Sequence, residues 1–248
     1  MHGRSSAEQR LRPVDNTANR KFCQDYLDLP YIKNDEAACA GRPVADRVPK
    51  TVFSVAAGRM PPVQVGVTAS NPGYQRKHHS DAEAPDYIRE RCGEDTAKAY
   101  ECLAPPAYRA DLFRFCALFS EGGVYLDSDM LPPVPLEELY DPCATATVGH
   151  DRPQGRPRKR MKILAGVAGA PIFGCMVRTI VRNVSHRFCP DNALAITGPM
   201  ALHRCCESHP DDVSVTYHDT RGAAHRWRAG CGRSTGPKET PSSHWRHR

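Results

Sequence analysis

A helix, a pair of glycines and a short apolar strand follow one another in the middle of the chain, and this succession constrains the fold more than any other feature. The segment after Pro105-Pro106 predicts a helix that runs to about Phe119, since proline is tolerated in the first turn of a helix. Gly122-Gly123 ends that helix, and Val124–Leu126 is predicted to be a short buried strand that ends at Asp127. The alternation of helix, turn and strand favours an α/β sheet.

Flanking segments supply the other predicted elements. The β-branched run Thr51–Ala57 predicts the first buried strand. Valines alternate with other residues over Val63–Val67, which predicts a second strand. Asn71-Pro72-Gly73 is a turn signal, and the residues from Pro85 to about Leu103 have the apolar spacing of a helix.

Asp127 and Asp129 follow the central strand with one residue between them. In an extended chain, side chains two residues apart point the same way, so both carboxylates are expected to face one side. Two adjacent carboxylates repel each other, and one takes up a proton unless a cation lies between them. A hard divalent ion such as Mn²⁺ or Mg²⁺ removes the repulsion and can also hold a diphosphate. Because an isolated Asp-x-Asp also occurs in many exposed turns, the surrounding residues have to decide between the two interpretations.

Asp111 and Arg114 lie three residues apart on the predicted helix and therefore on one face of it. Most of the remaining surface of that helix is apolar, which predicts that the helix is largely buried. A surface ion pair contributes only about 0.2–0.5 kcal/mol, so stability alone explains this placement poorly. A structural ion pair at the edge of the core remains the alternative to a functional role.

These residues together resemble a known signature. The pattern Asp111-x-x-Arg114 followed by Gly122-Gly123-x-Tyr125-x-Asp127-x-Asp129 is similar to that of the DXD-containing sugar-binding glycosyltransferases. The resemblance is greatest to glycosyltransferase family 32, which includes yeast mannosyltransferases, and large clostridial glucosylating toxins share the central motif. Three flanking segments add support: Val48–Phe53 resembles the family's first strand, Asn71–Tyr74 its turn, and Thr197-Gly198-Pro199 a downstream motif.

The resemblance implies a metal site. Asp127 and Asp129 would be the catalytic pair that holds Mn²⁺ or Mg²⁺ and, through the ion, the diphosphate of the donor. His218 is the preferred candidate for a third metal ligand, with a surface histidine as the alternative. Such an ion offsets the charge that develops on the leaving diphosphate.

The resemblance also implies a donor site and a fold. Asp111 and Arg114 would contact the hydroxyls of the donor sugar or the nucleotide, and Tyr125 would shape the pocket. Gly122 and Gly123 would permit the tight turn before the strand, and Thr197 and Gly198 would lie near the donor. The family's fold is the GT-A type, an α/β nucleotide-sugar-binding fold with a mixed central sheet flanked by helices, and its reactions retain the anomeric configuration.

The chain departs from the family pattern in three places. Ser54–Ala57 lacks the His and Trp that usually follow the first strand, and polar residues follow Tyr74 where an aromatic is expected. Near the C-terminus, Tyr217-His218-Asp219 and His225-Arg226-Trp227 match the family's His and Gly-Ser-Trp segment only in part. These departures bear on activity rather than on ancestry.

Eleven cysteines are many for a reduced cytosolic protein, and an odd number cannot all pair within the chain. The chain has no Cys-x-x-Cys, so a structural zinc site is not predicted. Cys116 lies in the apolar helix and is predicted to be a small buried hydrophobe. Disulfides among the other cysteines are compatible with an oxidising compartment, but their spacing does not define a pairing.

The net charge of +6 is concentrated in a run over residues 152–162 and in the C-terminal residues from Arg221 onward. Such runs are usually solvated loops or tails, and otherwise contact an anion such as a nucleotide phosphate, a nucleic acid or a lipid surface. The run lacks interleaved aromatics and any nucleic-acid-binding module, so no nucleic-acid partner is predicted.

Three segments are predicted along the chain: a disordered N-terminal segment over residues 1–20, a GT-A type domain over residues 21–229, and a basic disordered tail over residues 230–248. The N-terminus has no apolar run, so neither a signal peptide nor a transmembrane segment is predicted and the chain as given is expected to be soluble. The resemblance implies association with membranes of the Golgi or another secretory compartment.

The leading hypothesis is a metal-dependent retaining glycosyltransferase. It would move a hexose from GDP-mannose or a UDP-sugar to a glycan or glycolipid acceptor. The alternative is a catalytically silent relative that acts as a binding subunit, which the partial C-terminal motif favours and the intact Asp-x-Asp opposes.

Overall fold

The computed structural model describes residues 47–132, 135–141, 144–150, 159–188, 190, 192–209 and 213–217. The predicted terminal segments 1–20 and 230–248 and the candidate ligand His218 lie outside these residues. The helices are α1 (Pro62–Ala69), α2 (Ala84–Cys92), α3 (Glu94–Cys102), α4 (Pro106–Glu121), α5 (Pro171–Ser185) and α6 (Pro199–Ser208). The strands are β1 (Thr51–Ala56), β2 (Gln75–Ser80), β3 (Gly123–Leu126), β4 (Ala146–His150), β5 (Lys159–Gly166) and β6 (Val213–Tyr217).

The six strands form one mixed sheet in the order β2-β1-β3-β5-β4-β6. Strand β1 is parallel to both β2 and β3, and β6 is parallel to β4. Strand β5 is antiparallel to both β3 and β4. The predicted α/β class and the central place of β3 are therefore confirmed.

Alternate side chains of β3 enter two different apolar cores. Tyr125 packs into the larger core, which includes residues of helices α2 to α6. Val124 and Leu126 pack into a smaller core that includes Val67 of α1. This alternation follows from the two-residue period of a strand. Asp127, two residues beyond Tyr125, therefore lies on the face that α4 covers.

The strand predicted over Val63–Val67 is wrong, because these residues lie in helix α1. Two prolines precede the segment, and proline is well suited to the first turn of a helix. Gln64 and Val67, three residues apart, are buried while Val65 between them is exposed, which is the spacing of a helix face. Alternating valines in so short a segment fit both periods, and the prolines decide between them.

Two other element predictions need correction. The helix predicted from Pro85 to about Leu103 is two helices, α2 and α3, separated by Gly93, whose φ of 89° lies in the left-handed region. The polar segment Gln75–Ser80, which deviates from the family pattern, is strand β2. It lies at one edge of the sheet, where polar and charged side chains are usual.

The interpretation of Cys116 as an unpaired hydrophobe is wrong, because its sulfur forms a disulfide with Cys92. This bond joins helices α2 and α4. A second disulfide, between Cys175 and Cys205, joins α5 and α6. Spacing could not have indicated either pair, since both link residues of different helices.

Candidate active site

Asp127 lies at the end of β3, on the face that α4 covers. Its backbone N–H donates to the carbonyl of Lys162 at 2.9 Å, which extends the pairing with β5 by one residue. The N–H of Met130 then donates to the Asp127 carbonyl at 2.9 Å, so residues 127–130 form a turn. The extended conformation expected between Asp127 and Asp129 is therefore wrong, and the two carboxylates have different surroundings.

Arg114 connects the two predicted parts of the site. Its Nη2 lies 3.1 Å from Asp111 Oδ1 and 3.1 Å from Asp127 Oδ1. Its Nη1 donates to the carbonyl of Met161, and its Nε donates to the carbonyl of Ala110 at 3.2 Å. The guanidinium is buried and so fully engaged that its planar fork determines where both carboxylates lie.

An aromatic ring and a hydroxyl complete this cluster. The guanidinium carbon of Arg114 lies 4.6 Å from the centre of the Tyr125 ring, a cation–π distance. The hydroxyl of Thr197 donates to Asp111 Oδ2 at 2.7 Å. The structure thus brings together Asp111, Arg114, Tyr125, Asp127 and Thr197.

Burial controls the ionisation of this cluster. Desolvation raises the pKa of Asp111 to about 6, although Arg114 and Thr197 act in the opposite direction. Desolvation disfavours the charge of Arg114, but Tyr125, Asp127 and Asp111 outweigh it and raise the pKa of the guanidinium. Arg114 therefore stays charged, while Asp111 carries a proton part of the time in mildly acidic solution.

Asp129 lies at the open side of the site. Its Oδ2 is 3.4 Å from Nζ of Lys162, and both side chains are more than one third exposed. Its Oδ1 is buried and has no hydrogen-bond partner among the described residues. A buried carboxylate oxygen without a partner is costly unless a ligand completes it.

The residues present fit a divalent ion in part. The unpartnered Oδ1 of Asp129 is an oxygen ligand of the kind that Mn²⁺ and Mg²⁺ prefer. Arg114 forms ion pairs with Asp111 and Asp127, and Lys162 forms one with Asp129. The part of the chain that the structure describes holds no group of three or more His, Cys, Asp or Glu side chains placed for a metal, so a diphosphate, water or a residue outside this part would complete the coordination.

The predicted glycines lie in different places. Gly122 and Gly123 are at the start of β3, the opposite end from Asp127, with φ values of 67° and 110°. A Cβ on Gly123 would lie 2.6 Å from the Thr51 carbonyl oxygen, so this residue permits the close approach of β1 and β3. Gly198 precedes α6 directly after Thr197. The structure therefore brings Gly198 near the cluster but not Gly122 or Gly123.

Sequence reasoning missed three residues at the site: Gln64, Arg76 and Lys162. Gln64 donates from Nε2 to the carbonyls of Asp127 and Met130, at 2.9 and 3.1 Å. Lys162 is the last residue of the basic run, and the charge of that run does not by itself indicate a place at the site. A glutamine within an apolar segment is the sequence signal for Gln64, and the strand predicted over Val63–Val67 obscures it.

The turn over Asn71–Tyr74 has contacts away from this cluster. Asn71 accepts the N–H of Leu136 at 2.8 Å and donates to the Val67 carbonyl at 2.6 Å. The hydroxyl of Tyr74 lies 2.7 Å from that of Tyr140. These contacts join the Asn71–Tyr74 turn, which follows α1, to the residues after the Asp-x-Asp turn. The contacts of the Asn71–Tyr74 turn are therefore structural.

Residues 64–144 match the family model described as the glycosyltransferase sugar-binding region containing a DXD motif. This range begins at Gln64 and contains Asp111, Arg114, Asp127 and Asp129. The predicted enzyme class, a glycosyltransferase, is confirmed. The finer prediction, membership of glycosyltransferase family 32, stays a prediction.

Two solved structures resemble the chain to different degrees. The chain is similar to the PaToxG glycosyltransferase with a TM-score of 0.50 and 14% sequence identity, over 78% of this chain and 78% of that chain. The UDP-bound glycosyltransferase domain from the YGT toxin matches with a TM-score of 0.36 and 11% identity, over 61% of this chain and 54% of that chain. The first likeness confirms the predicted GT-A type α/β fold. A comparison with curated protein sequences finds no match, and among the described residues no helix is long and apolar enough to cross a bilayer.

Proposed function

We propose that this glycosyltransferase depends on a divalent metal ion and transfers a hexose, with retention of configuration, from GDP-mannose or a UDP-sugar to a glycan or glycolipid. The observation that supports the proposal most is the cluster in which buried Arg114 bridges Asp111 and Asp127 beside an Asp129 oxygen that has no partner. A buried carboxylate oxygen without a partner favours a bound cation, and a bound cation would in turn attract a diphosphate.

Each residue would have a distinct task. Asp127 and Asp129 would hold Mn²⁺ or Mg²⁺, and the ion would supply Lewis-acid stabilisation of the leaving diphosphate. Arg114 would fix the Asp127 carboxylate, because four of its hydrogen bonds already go to protein oxygens. Asp111 would accept a hydroxyl of the donor sugar while Thr197 and Arg114 keep its carboxylate in one orientation.

We also propose that the chain works in the secretory pathway, at Golgi or related membranes. Two disulfides among the described residues support an oxidising compartment. Mass spectrometry of protein isolated with its thiols blocked should find Cys92–Cys116 and Cys175–Cys205 oxidised. Recovery of all four as blocked thiols from the native source would contradict this location.

The test of the enzymatic proposal is hydrolysis of nucleotide sugars in the absence of an acceptor, with and without Mn²⁺. Asp129→Asn keeps the size of the side chain and loses its charge, so turnover should fall at least about 10²-fold, or about 2.7 kcal/mol. Asp95→Asn, an exposed aspartate in α3, is the matched control and should retain full activity. Undiminished turnover in excess chelator would refute metal dependence.

A binding measurement separates the enzyme from the silent subunit. A donor at 100 times its dissociation constant should stabilise the wild type by about 2.7 kcal/mol in a thermal-shift assay with Mn²⁺. Stabilisation together with hydrolysis supports the enzyme. Stabilisation without hydrolysis of any GDP- or UDP-sugar supports the binding subunit instead.

A further inference from the structure

Gln64 spans the turn that carries the two predicted metal ligands. Its side chain is fully buried, which is unusual for glutamine unless all its polar atoms are paired. The two donors of Nε2 go to the carbonyls of Asp127 and Met130, the first and last residues of the turn. The Asp127 carbonyl also accepts the N–H of Met130, so both of its lone pairs are used.

Arg76 holds Gln64 in this orientation. Its Nη2 donates to Gln64 Oε1, and its Nη1 donates to the Gln64 backbone carbonyl. The fork therefore determines which end of the Gln64 amide faces the turn, because Oε1 must face the guanidinium and Nε2 the carbonyls. Arg76 makes no ion pair with any described carboxylate, so its recorded partners are the two oxygens of Gln64.

Arg76 and Asp129, on either side of Gln64, each have a buried polar atom without a hydrogen-bond partner among the described residues. Across the described residues, two buried side-chain polar atoms lack a hydrogen-bond partner, and they are Arg76 Nε and Asp129 Oδ1. Both belong to the assembly of Arg76, Gln64 and the turn. Buried polar atoms without partners are rare in folded proteins, so their concentration here indicates a site built for a ligand rather than for stability.

We propose that Gln64, oriented by Arg76, is a positioning residue that keeps the Asp127–Met130 turn in the conformation that binds the metal. This inference rests on the proposed function, because it assigns the turn to metal binding. Neither residue would contact the donor. Gln64 acts through the backbone carbonyls of the turn, and Arg76 acts through Gln64.

The test begins with metal-free protein. Gln64→Met keeps the length of the side chain and removes both donors, so the Met130 carbonyl loses its recorded partner and the Asp127 carbonyl loses one of two. Amide hydrogen exchange should accelerate at least about tenfold in the peptide over residues 124–132, because two hydrogen bonds are lost, and stay unchanged over β1. Gln75→Met, at an exposed position on β2, is the matched control and should change neither peptide.

Mn²⁺ binding, measured by electron paramagnetic resonance of the free ion, is the second readout. Gln64→Met should weaken binding about tenfold, since the ion must then order the turn itself. Arg76→Met should weaken it in the same direction, and should add nothing in the Gln64→Met background because both act through one contact. Arg76→Met leaves the Gln64 amide in place, so it carries the test if Gln64→Met does not fold.

The outcomes are distinct. Faster exchange confined to the turn, together with weaker Mn²⁺ binding, supports the proposal. Uniformly faster exchange, unchanged Mn²⁺ affinity or additive effects of the two substitutions would overturn it in favour of a general structural role. A wild type that binds no Mn²⁺ would refute the proposed metal dependence, and the exchange data would still decide whether Gln64 orders the turn.

Discussion

Removal of the Arg114 side chain tests whether the centre of the site is built as the structure describes. Arg114→Met leaves the carboxylates of Asp111 and Asp127 buried on the same side of α4 without their shared cation. Breaking a buried ion pair by removing one partner costs about 3–5 kcal/mol. Because Arg114 serves two carboxylates and two carbonyls, we expect a loss of at least about 3 kcal/mol in the free energy of unfolding.

Urea unfolding at pH 7.5, followed by circular dichroism, measures this loss. Arg91→Met is the control, because Arg91 makes longer and more exposed ion pairs with Glu90 and Glu121, which are worth about 1 kcal/mol or less. A loss for Arg114→Met as small as that of Arg91→Met would refute the buried network. Repetition at pH 5 should reduce the penalty for Arg114→Met, since a protonated Asp111 no longer repels Asp127.

Three further predictions concern single residues. Burial raises the pKa of Asp111 from its ordinary value of 3.8 to about 6, so between these pH values the folded state holds a proton that the unfolded state has lost, and stability falls as the pH rises. Relative to Asp111→Asn, the unfolding free energy of the wild type should fall by about 2 kcal/mol from pH 4.5 to 7. A difference between the two proteins that does not change with pH would contradict the raised pKa. Replacing Cys92 and Cys116 by alanine should cost about 3 kcal/mol, and thermal melting that reduction leaves unchanged in the wild type would contradict the disulfide. Gly123→Ala should cost more than about 2 kcal/mol, whereas Gly93→Ala, also at positive φ but with nothing within 4 Å of an added Cβ, should cost only about 1 kcal/mol; equal losses in urea unfolding would show that contact with β1 is unimportant.

The part of the site that the sequence predicted is local. Asp111, Arg114, Tyr125 and Asp127 lie within one helix, turn and strand, so the periods of helix and strand are enough to place them on facing surfaces. The glycine turn makes β3 run back along α4, so the four side chains can be placed together without reference to the rest of the sheet. The fold class followed from the same alternation of elements.

The part that was missed depends on distant contacts. Gln64 lies 63 positions before Asp127, to whose carbonyl it donates, and Lys162 lies 33 positions after Asp129. No local period relates such residues, and the polarity of β2 concealed the strand that carries Arg76. The alternating valines of α1 fit the period of a strand. The prolines before them and the burial of Gln64 are the features that indicate a helix.

The difference between Asp127 and Asp129 follows from these contacts. Asp127 is fixed from inside the protein by a buried guanidinium that cannot leave without exposing two carboxylates to each other. Asp129 is paired from outside by Lys162 at 3.4 Å, in an exposed pair of the kind that contributes little and that a competing cation can displace. Two identical side chains, two residues apart, thus have opposite surroundings. In the proposed function, Asp127 would give the site its fixed geometry, and Asp129 would supply an oxygen to the ligand.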